Sequence, residues 1–257
     1  MEYEEVNLKG SVEELMKDEK IDIEDPVKES NLIAIAFAVL AILITIVFLL
    51  YRSLKSRADT ILLIGLSDSG KTRIFAKIAN KNNEPVTYTS FQENIMDIDV
   101  KGAQLKLVDF PGAERLRKQL VEKWLKKGRS SLRGIVFVVD SSTFSKRSRD
   151  VAEFLYDVIL ESGKKIPVVV VCNKQDHELS KSSQVIRASL EKEIGLINRT
   201  RAAALSSTDG SSVSRTLTNT GDKFTWSDLP TVVDFIECCA VNGTSVGLEA
   251  LRSWIEQ

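Results

Sequence analysis

At 257 residues with 43% hydrophobic side chains, the chain is long enough for one core-bearing domain and an appendage. Its 35 basic and 36 acidic residues leave a formal charge of -1, which removes any broad attraction to a polyanion, so no direct nucleic-acid partner is expected. Three cysteines, Cys172, Cys238 and Cys239, cannot frame a multi-bridge scaffold, and the one histidine, His177, makes His-rich metal sites and Ser/His/Asp triads hard to assemble. The cysteines lie in apolar, strand-like surroundings and read as buried free thiols, which directs the main domain to the reducing cytosol.

Residues 1–31 form an acidic arm carrying Glu2, Glu4, Glu5, Glu13, Glu14, Asp22, Glu24 and Asp25. With little aromatic content and no sustained apolar face, it reads as a disordered, solvated tail. From Leu32 to Leu50 every residue is apolar except Thr45, whose hydroxyl can bond a carbonyl one turn back. At about 1.5 Å per residue the run reaches roughly 28 Å, close to the ~30 Å hydrocarbon layer of a bilayer. A cleaved signal peptide would need a basic segment before the run, a core helix is seldom apolar on all sides, and an interfacial helix needs a polar face. One transmembrane helix over 32–51 is therefore expected, followed by a basic linker over 52–58. Arg52, Lys55 and Arg57 in that linker stay cytosolic by the positive-inside rule, which sends the acidic arm to the far side.

Over 59–257 short apolar runs alternate with longer amphipathic stretches, the pattern of a mostly parallel sheet with helices on both faces. Six strands are expected near Thr60 to Ile64, Asn94 to Val100, Gln104 to Asp109, Gly134 to Asp140, Ile166 to Cys172 and Thr231 to Cys238. Helices are expected near Lys71 to Ala79, Glu114 to Lys127, Ser148 to Ser162, Ser180 to Ile194 and Val246 to Glu256. Only Lys101-Gly102-Ala103 separates the second and third strands, too little for a crossover helix, so one strand is antiparallel. The Ser/Thr/Gly-rich stretch from Asn198 to Asp228 reads as a long loop.

Gly65-Leu66-Ser67-Asp68-Ser69-Gly70-Lys71-Thr72 follows an apolar strand and opens a helix, the context a phosphate-binding loop requires. Main-chain amides of these residues would converge on phosphates at the positive end of the helix. Lys71 would reach the outer phosphates and is the candidate catalytic side chain, and the Thr72 hydroxyl would bind Mg²⁺.

Asn173-Lys174-Gln175-Asp176 ends a second apolar strand, where a carboxylate can accept both N–H groups of guanine's Watson–Crick edge. Adenine would leave Asp176 unpaired, at a penalty above the ~1 to 3 kcal/mol of a neutral group. GTP is the expected nucleotide.

Asp109-Phe110-Pro111-Gly112 ends a third strand; Asp109 would hold Mg²⁺ through water and the Gly112 amide would sense the γ-phosphate. Thr87 and Thr89 are candidates for a loop threonine closing on Mg²⁺, and Thr89 is preferred because it stands nearer the strand at Asn94.

These motifs, in this order, resemble the Ras/Arf superfamily of small GTPases and the P-loop small-GTPase fold. The wider set, GLSDSGKT, YTS, DFPGAERLR, GIVFVVDSSTF, RDVAEFLYDVIL, CNKQD and ECCA after one membrane span, is similar to the signal recognition particle receptor beta-subunit family. The resemblance covers Ser53 to Gln257 and leaves out the acidic arm. It implies an endoplasmic reticulum membrane protein whose GTP-bound form holds the N-terminal domain of the receptor's alpha subunit, and through it ribosomes carrying secretory chains. It also implies that Glu237-Cys238-Cys239-Ala240 is the last base-binding loop, with the amides near Cys239 and Ala240 meeting guanine O6.

Two positions depart from the pattern. Ala113 stands where many Ras-like enzymes have a water-orienting glutamine, so intrinsic hydrolysis is expected to be slow. Val241 replaces a lysine common in the last loop.

The following helix sets Leu116, Leu120 and Trp124 among Arg115, Arg117, Lys118, Lys123, Lys126 and Lys127. That reads as core packing beneath a solvated face; a sharper reading makes part of this face a contact for a partner or an anionic membrane. Two other functions fit part of the motif set. An Arf-like trafficking GTPase would cycle by hydrolysis, and a P-loop kinase or ATPase would require adenine binding.

Overall fold

The computed structural model describes residues 26–54, 58–79, 92–163, 165–206, 216–218, 224–241 and 247–257; at 26–33, 50–54, 103 and 204–206 only the backbone is described. Thr87 and Thr89, the arm over 1–25 and linker residues 55–57 lie outside these residues. The chain divides into two compact units, Met1–Lys55 and Ser56–Gln257.

Among the described residues the first unit contains one helix, α1 (Pro26–Leu54). It begins earlier than the expected span, so 26–31 are helical rather than tail, and 52–54 continue the helix rather than the linker. Proline at the first helical position explains the start, because its fixed φ suits a helix and its missing N–H would have no intrahelical partner there. Thr45 Oγ1 donates to Ala41 O at 2.5 Å, the one-turn bond that satisfies its hydroxyl within the helix. The side chains described over 34–49 are exposed all round, Phe37 and Val47 among them. Among the described residues no helix is long and apolar enough to cross a membrane, and the apolar run from Leu32 to Leu50 extends past that described stretch at both ends.

The second unit is a six-stranded sheet in the order β2-β3-β1-β4-β5-β6. Its strands are β1 (Thr60–Gly65), β2 (Asn94–Val100), β3 (Ala103–Asp109), β4 (Leu132–Asp140), β5 (Val168–Asn173) and β6 (Val233–Glu237). All neighbours are parallel except β2 and β3, which pair antiparallel from Asn94↔Asp109 to Val100↔Ala103. Positive φ at both Lys101 (52°) and Gly102 (80°) gives the two-residue hairpin turn whose twist matches the strands.

Alternation along the central strands builds two cores. Leu62, Ile64, Ile135, Phe137, Val168 and Val170 point to one face, where they meet α3 (Arg117–Leu120), α4 (Phe144–Ser162) and α5 (Ser183–Ser206). Ile61, Leu63, Val136, Val138, Val169 and Val171 point to the other, against α2 (Lys71–Ala79) and α6 (Leu248–Ile255). Central strands buried on both faces hold their C-terminal ends rigidly, and the loops leaving those ends form the site.

Two expectations need correction. The helix expected over Glu114 to Lys127 is a run of three geometries: a 3-10 turn at Glu114–Leu116, α3, and a wider π-helical stretch at Val121–Lys127. Leu120 and Trp124 are buried and Leu116 packs against them, as the core reading required.

The stretch expected as a loop from Asn198 is helical up to Ser206. Asn198 belongs inside α5 because its side chain is buried and bonded: it accepts from Tyr156 Oη at 2.9 Å and donates to Thr218 O at 3.0 Å. Further on, Phe224, Trp226 and Leu229 are buried in the core, and Trp226 makes edge contacts with Phe224 and Phe235.

Candidate functional site: a phosphate and purine cleft

The loops after β1, β3, β5 and β6 enclose an open cleft of about 560 Å³. Ser67, Asp68, Gly70, Lys71, Thr72, Asp109 and Gly112 line one end; Asn173, Lys174, Asp176 and Ala240 line the other. His177 and Val241 also line it. The sequence reading did not anticipate His177 there. Gly65, Leu66, Ser69 and Cys239, also expected at the site, stand behind the lining, and Thr89 lies outside the described residues.

At the phosphate end the loop curls around Lys71, whose Nζ donates to Leu66 O at 2.8 Å and to Ser69 Oγ at 3.4 Å. Asp68 adopts φ 66°, a left-handed conformation that non-glycine residues adopt at a penalty of about 1 kcal/mol and that clusters at functional turns. Gly112 approaches so closely that an added Cβ would lie 2.6 Å from Ser67 N and 2.7 Å from Lys71 Nζ. Only glycine lets the Asp109-Phe110-Pro111-Gly112 segment touch the phosphate loop.

Burial depresses the Lys71 ammonium to about 8, against the smaller opposing pull of Asp109 and Asp68. Burial also raises the Asp109 carboxyl above its ordinary range, although hydrogen bonds from Thr72 and Asn94 and the charge of Lys71 act the other way. Thr72 Oγ1 donates to Asp109 Oδ2 at 2.7 Å, and Asn94 Nδ2 to the same oxygen at 3.2 Å. Asp109 Oδ1 is buried with no hydrogen-bond partner. A buried carboxylate oxygen left over beside a hydroxyl is the oxygen-donor chemistry that suits a hard divalent cation, so Asp109 and Thr72 fit Mg²⁺.

The purine end is built differently. Asn173 Nδ2 donates to Ser69 O at 2.9 Å, bolting the end of β5 to the phosphate loop. An added Cβ at Gly70 would sit 2.3 Å from that Nδ2, and Gly70 itself has φ +90°. Lys174, at φ 65°, lays its stem along the cleft and pairs with Asp140 Oδ2 at 2.7 Å. Burial pushes Asp140 up, but the hydrogen bonds from Lys174 and Ser142 and the Lys174 charge outweigh it and hold this carboxyl below its ordinary range. Gln175 Nε2 ties the loop to Ser141 Oγ and Lys181 O at 2.9 and 3.0 Å.

Cys239 is buried, and its thiol donates to Asp176 Oδ1 at 3.3 Å. The family resemblance had offered only main-chain amides there. Sequence reasoning also missed Asp140, although Asp140 ends β4 as Asp109 ends β3, an equivalence of position that points to the same crevice.

The sequence profile described as "Signal recognition particle receptor beta subunit" matches residues 56–233. The receptor subunit beta of Homo sapiens is 40% identical over 239 residues, 88% of this chain and 86% of that one. Among solved structures, that of the mammalian SRP receptor superposes with a TM-score of 0.64 at 34% identity, covering 77% of this chain and 98% of its counterpart. The Arl6 BBS3 small GTPase of Trypanosoma brucei, at 19% identity and a TM-score of 0.51, shares the fold. With a two-sided sheet whose motif-bearing loops follow β1, β3 and β5, and with these matches, the chain belongs to the signal recognition particle receptor beta-subunit family.

Proposed function

We propose that this chain is the membrane-anchored, GTP-binding subunit of its receptor, and that its GTP state docks the N-terminal domain of the alpha subunit at the endoplasmic reticulum. The observation that carries it is the cleft's chemical mismatch: a desolvated ammonium at Lys71 faces a raised carboxyl at Asp109 whose Oδ1 has no partner. A triphosphate with its Mg²⁺ supplies the charges both groups lack.

In this reading the amides of residues 65–72 cradle the phosphates, aided by the positive N-terminus of α2. Thr72 and Asp109 would hold Mg²⁺, with Thr89, which precedes β2 in the sequence, closing on it. The ion neutralises phosphate charge. Asp176 selects guanine, with Lys174 packed along the base and the amides near Cys239 and Ala240 reaching its O6. Ala113 carries only a methyl group and cannot orient a water, so hydrolysis is slow and the bound state is the output.

The span over 32–51 belongs to the same proposal. An apolar helix exposed on every side over 34–49 needs a nonpolar surround, and a helix satisfies its own backbone inside lipid. Arg52, Lys55 and Arg57 hold the C-terminal unit on the cytosolic side, with the N-terminus in the lumen.

The test is capture of the alpha subunit by the full chain in lipid nanodiscs, loaded with GTP or GDP. Capture in GTP alone is expected; equal capture with either nucleotide would refute gated docking. The anchor is checked by alkaline carbonate extraction of membranes, from which the chain should not be released.

A further inference from the structure

Glu93 and Asn94 lie just before and at the start of β2, and neither belongs to any loop assigned above. Antiparallel pairing sets Asn94 directly opposite Asp109, and the strand's alternation turns Glu93 to the other side of the sheet. Asn94 Nδ2 reaches Asp109 Oδ2, the oxygen that also accepts from Thr72. Glu93 Oε2 accepts from the indole Nε1 of Trp124 at 3.1 Å, and its other oxygen pairs with Lys123.

Trp124 and Lys123 lie in the π-helical stretch at Val121–Lys127, in the helical run that starts two residues after Gly112. Two adjacent residues thus grip the carboxylate of the cation site on one side and a distorted turn of the helical run on the other. π-Helical turns inside helices are rare and recur at functional positions.

We propose that Asn94 is a positioning residue for the Asp109 carboxylate, and that Glu93 transmits the state of that carboxylate to Trp124, so that cation occupancy is read out in the helix at 114–127. The inference rests on the nucleotide site proposed above. Thr72 and Asp109 would hold Mg²⁺, and Asn94, which already donates to Asp109 Oδ2, would be the neutral donor that keeps the carboxylate aimed once the Thr72 hydroxyl were committed to the ion. Any shift of the Asn94 backbone moves Glu93 with it, because the two share a peptide bond.

The experiment follows Mg²⁺ titration of the full chain in nanodiscs, loaded with a fluorescent GDP analogue, by nucleotide release and by tryptophan emission. A Trp124→Phe variant identifies the Trp124 part of the emission. In the wild type Mg²⁺ slows release; if it does not, the nucleotide site itself is misassigned, which is a separate failure.

Given a working site, Asn94→Ala should raise the Mg²⁺ midpoint about tenfold, the usual effect of losing an outer partner of a metal ligand. Asn94→Ser, which keeps a donor, should recover part of that loss. Glu93→Gln should abolish the Mg²⁺-dependent change in Trp124 emission. The proposal is overturned if Asn94→Ala leaves the midpoint within about twofold, if release in EDTA accelerates by the same factor as in Mg²⁺, or if Glu93→Gln retains the emission change.

Discussion

The two ends of the cleft are made to different rules. At the end lined by Asn173 and Asp176 most polar side chains are satisfied by the protein, although Asn173 Oδ1 is buried with no partner: Lys174 pairs with Asp140, Gln175 bridges two loops, Asn173 Nδ2 holds the loop after β1, and Cys239 bonds Asp176. At the phosphate end the protein leaves a depressed ammonium, a raised carboxyl and a buried oxygen with no partner. Under the proposed function, the selective end would be prebuilt so that the wrong base meets fixed groups, whereas the gripping end would hold unbalanced charge that the ligand completes. The difference teaches that specificity and energy of binding can be assigned to separate loops, and substitutions can separate them.

The largest expected effect tests the prebuilt end. Asp176→Asn should move preference from guanosine to xanthosine nucleotides by on the order of 10⁴-fold, the range for a site built around a substrate hydrogen bond. Competition binding measures it, and an unaltered preference would mean the base contact is elsewhere.

Next comes Lys71→Met at the unbalanced end. Nucleotide affinity should fall about 100-fold, near 2.7 kcal/mol, while the nucleotide-free protein should melt at a higher temperature because a desolvated charge is gone. A lower melting point would break the comparison, since Lys71 would then be a structural member of the loop.

The third is a pH effect from the same lysine. Its pKa is about 8 in the folded, nucleotide-free protein against 10.5 for a free side chain, so between those values the unfolded chain holds more protons. This group's contribution to stability therefore rises with pH across that window. Phosphates raise the pKa again, so nucleotide binding takes up a proton above pH 8 and affinity falls by up to about tenfold per unit there. Calorimetry in two buffers of different ionisation enthalpy reads the proton directly; no uptake at pH 9 would count against the charge mismatch.

The smallest effect concerns the thiol. Cys239→Ala should weaken guanine nucleotide binding by about 1 kcal/mol or less, and Cys239→Ser should be close to neutral because a hydroxyl can make the same donation. An equal loss in both variants would point to packing rather than the bond to Asp176. Its neighbours Cys172 and Cys238 are buried, and desolvation pushes both thiols up to about 12, so neither should react with thiol reagents until the protein unfolds.

Much of the sheet was legible because its signals are local. The run Val168-Val169-Val170-Val171 is apolar at every position and bounded by turn residues, and it is a strand buried on both faces. Helix α2 follows directly from Gly70 and ends at Ala79 as expected. The loop between β1 and α2 was legible for the same reason, since the glycines that permit its turn are themselves the local signal.

The misread segment shows the opposite case. Composition around Asn198 to Asp228 favours loop, but Asn198 is bonded to Tyr156 from 42 positions away, and Trp226 packs on Phe235. Helix 114–127 was placed correctly, but its π-helical turn lies where Glu93 holds Trp124 and Lys123, residues about 30 positions apart.

By itself the sequence determined the order of strands and helices, the loops that follow β1 and β5 and the apolar run near the N-terminus, because each is written within a dozen neighbouring residues. Only the tertiary structure decided which carboxylate balances which cation, that Asp140 steadies Lys174, that Cys239 steadies Asp176 and that Asn94 meets Asp109. Those pairings depend on the register of strands brought together across the sheet, and a burial pattern can say that a side chain is inside without saying what it touches.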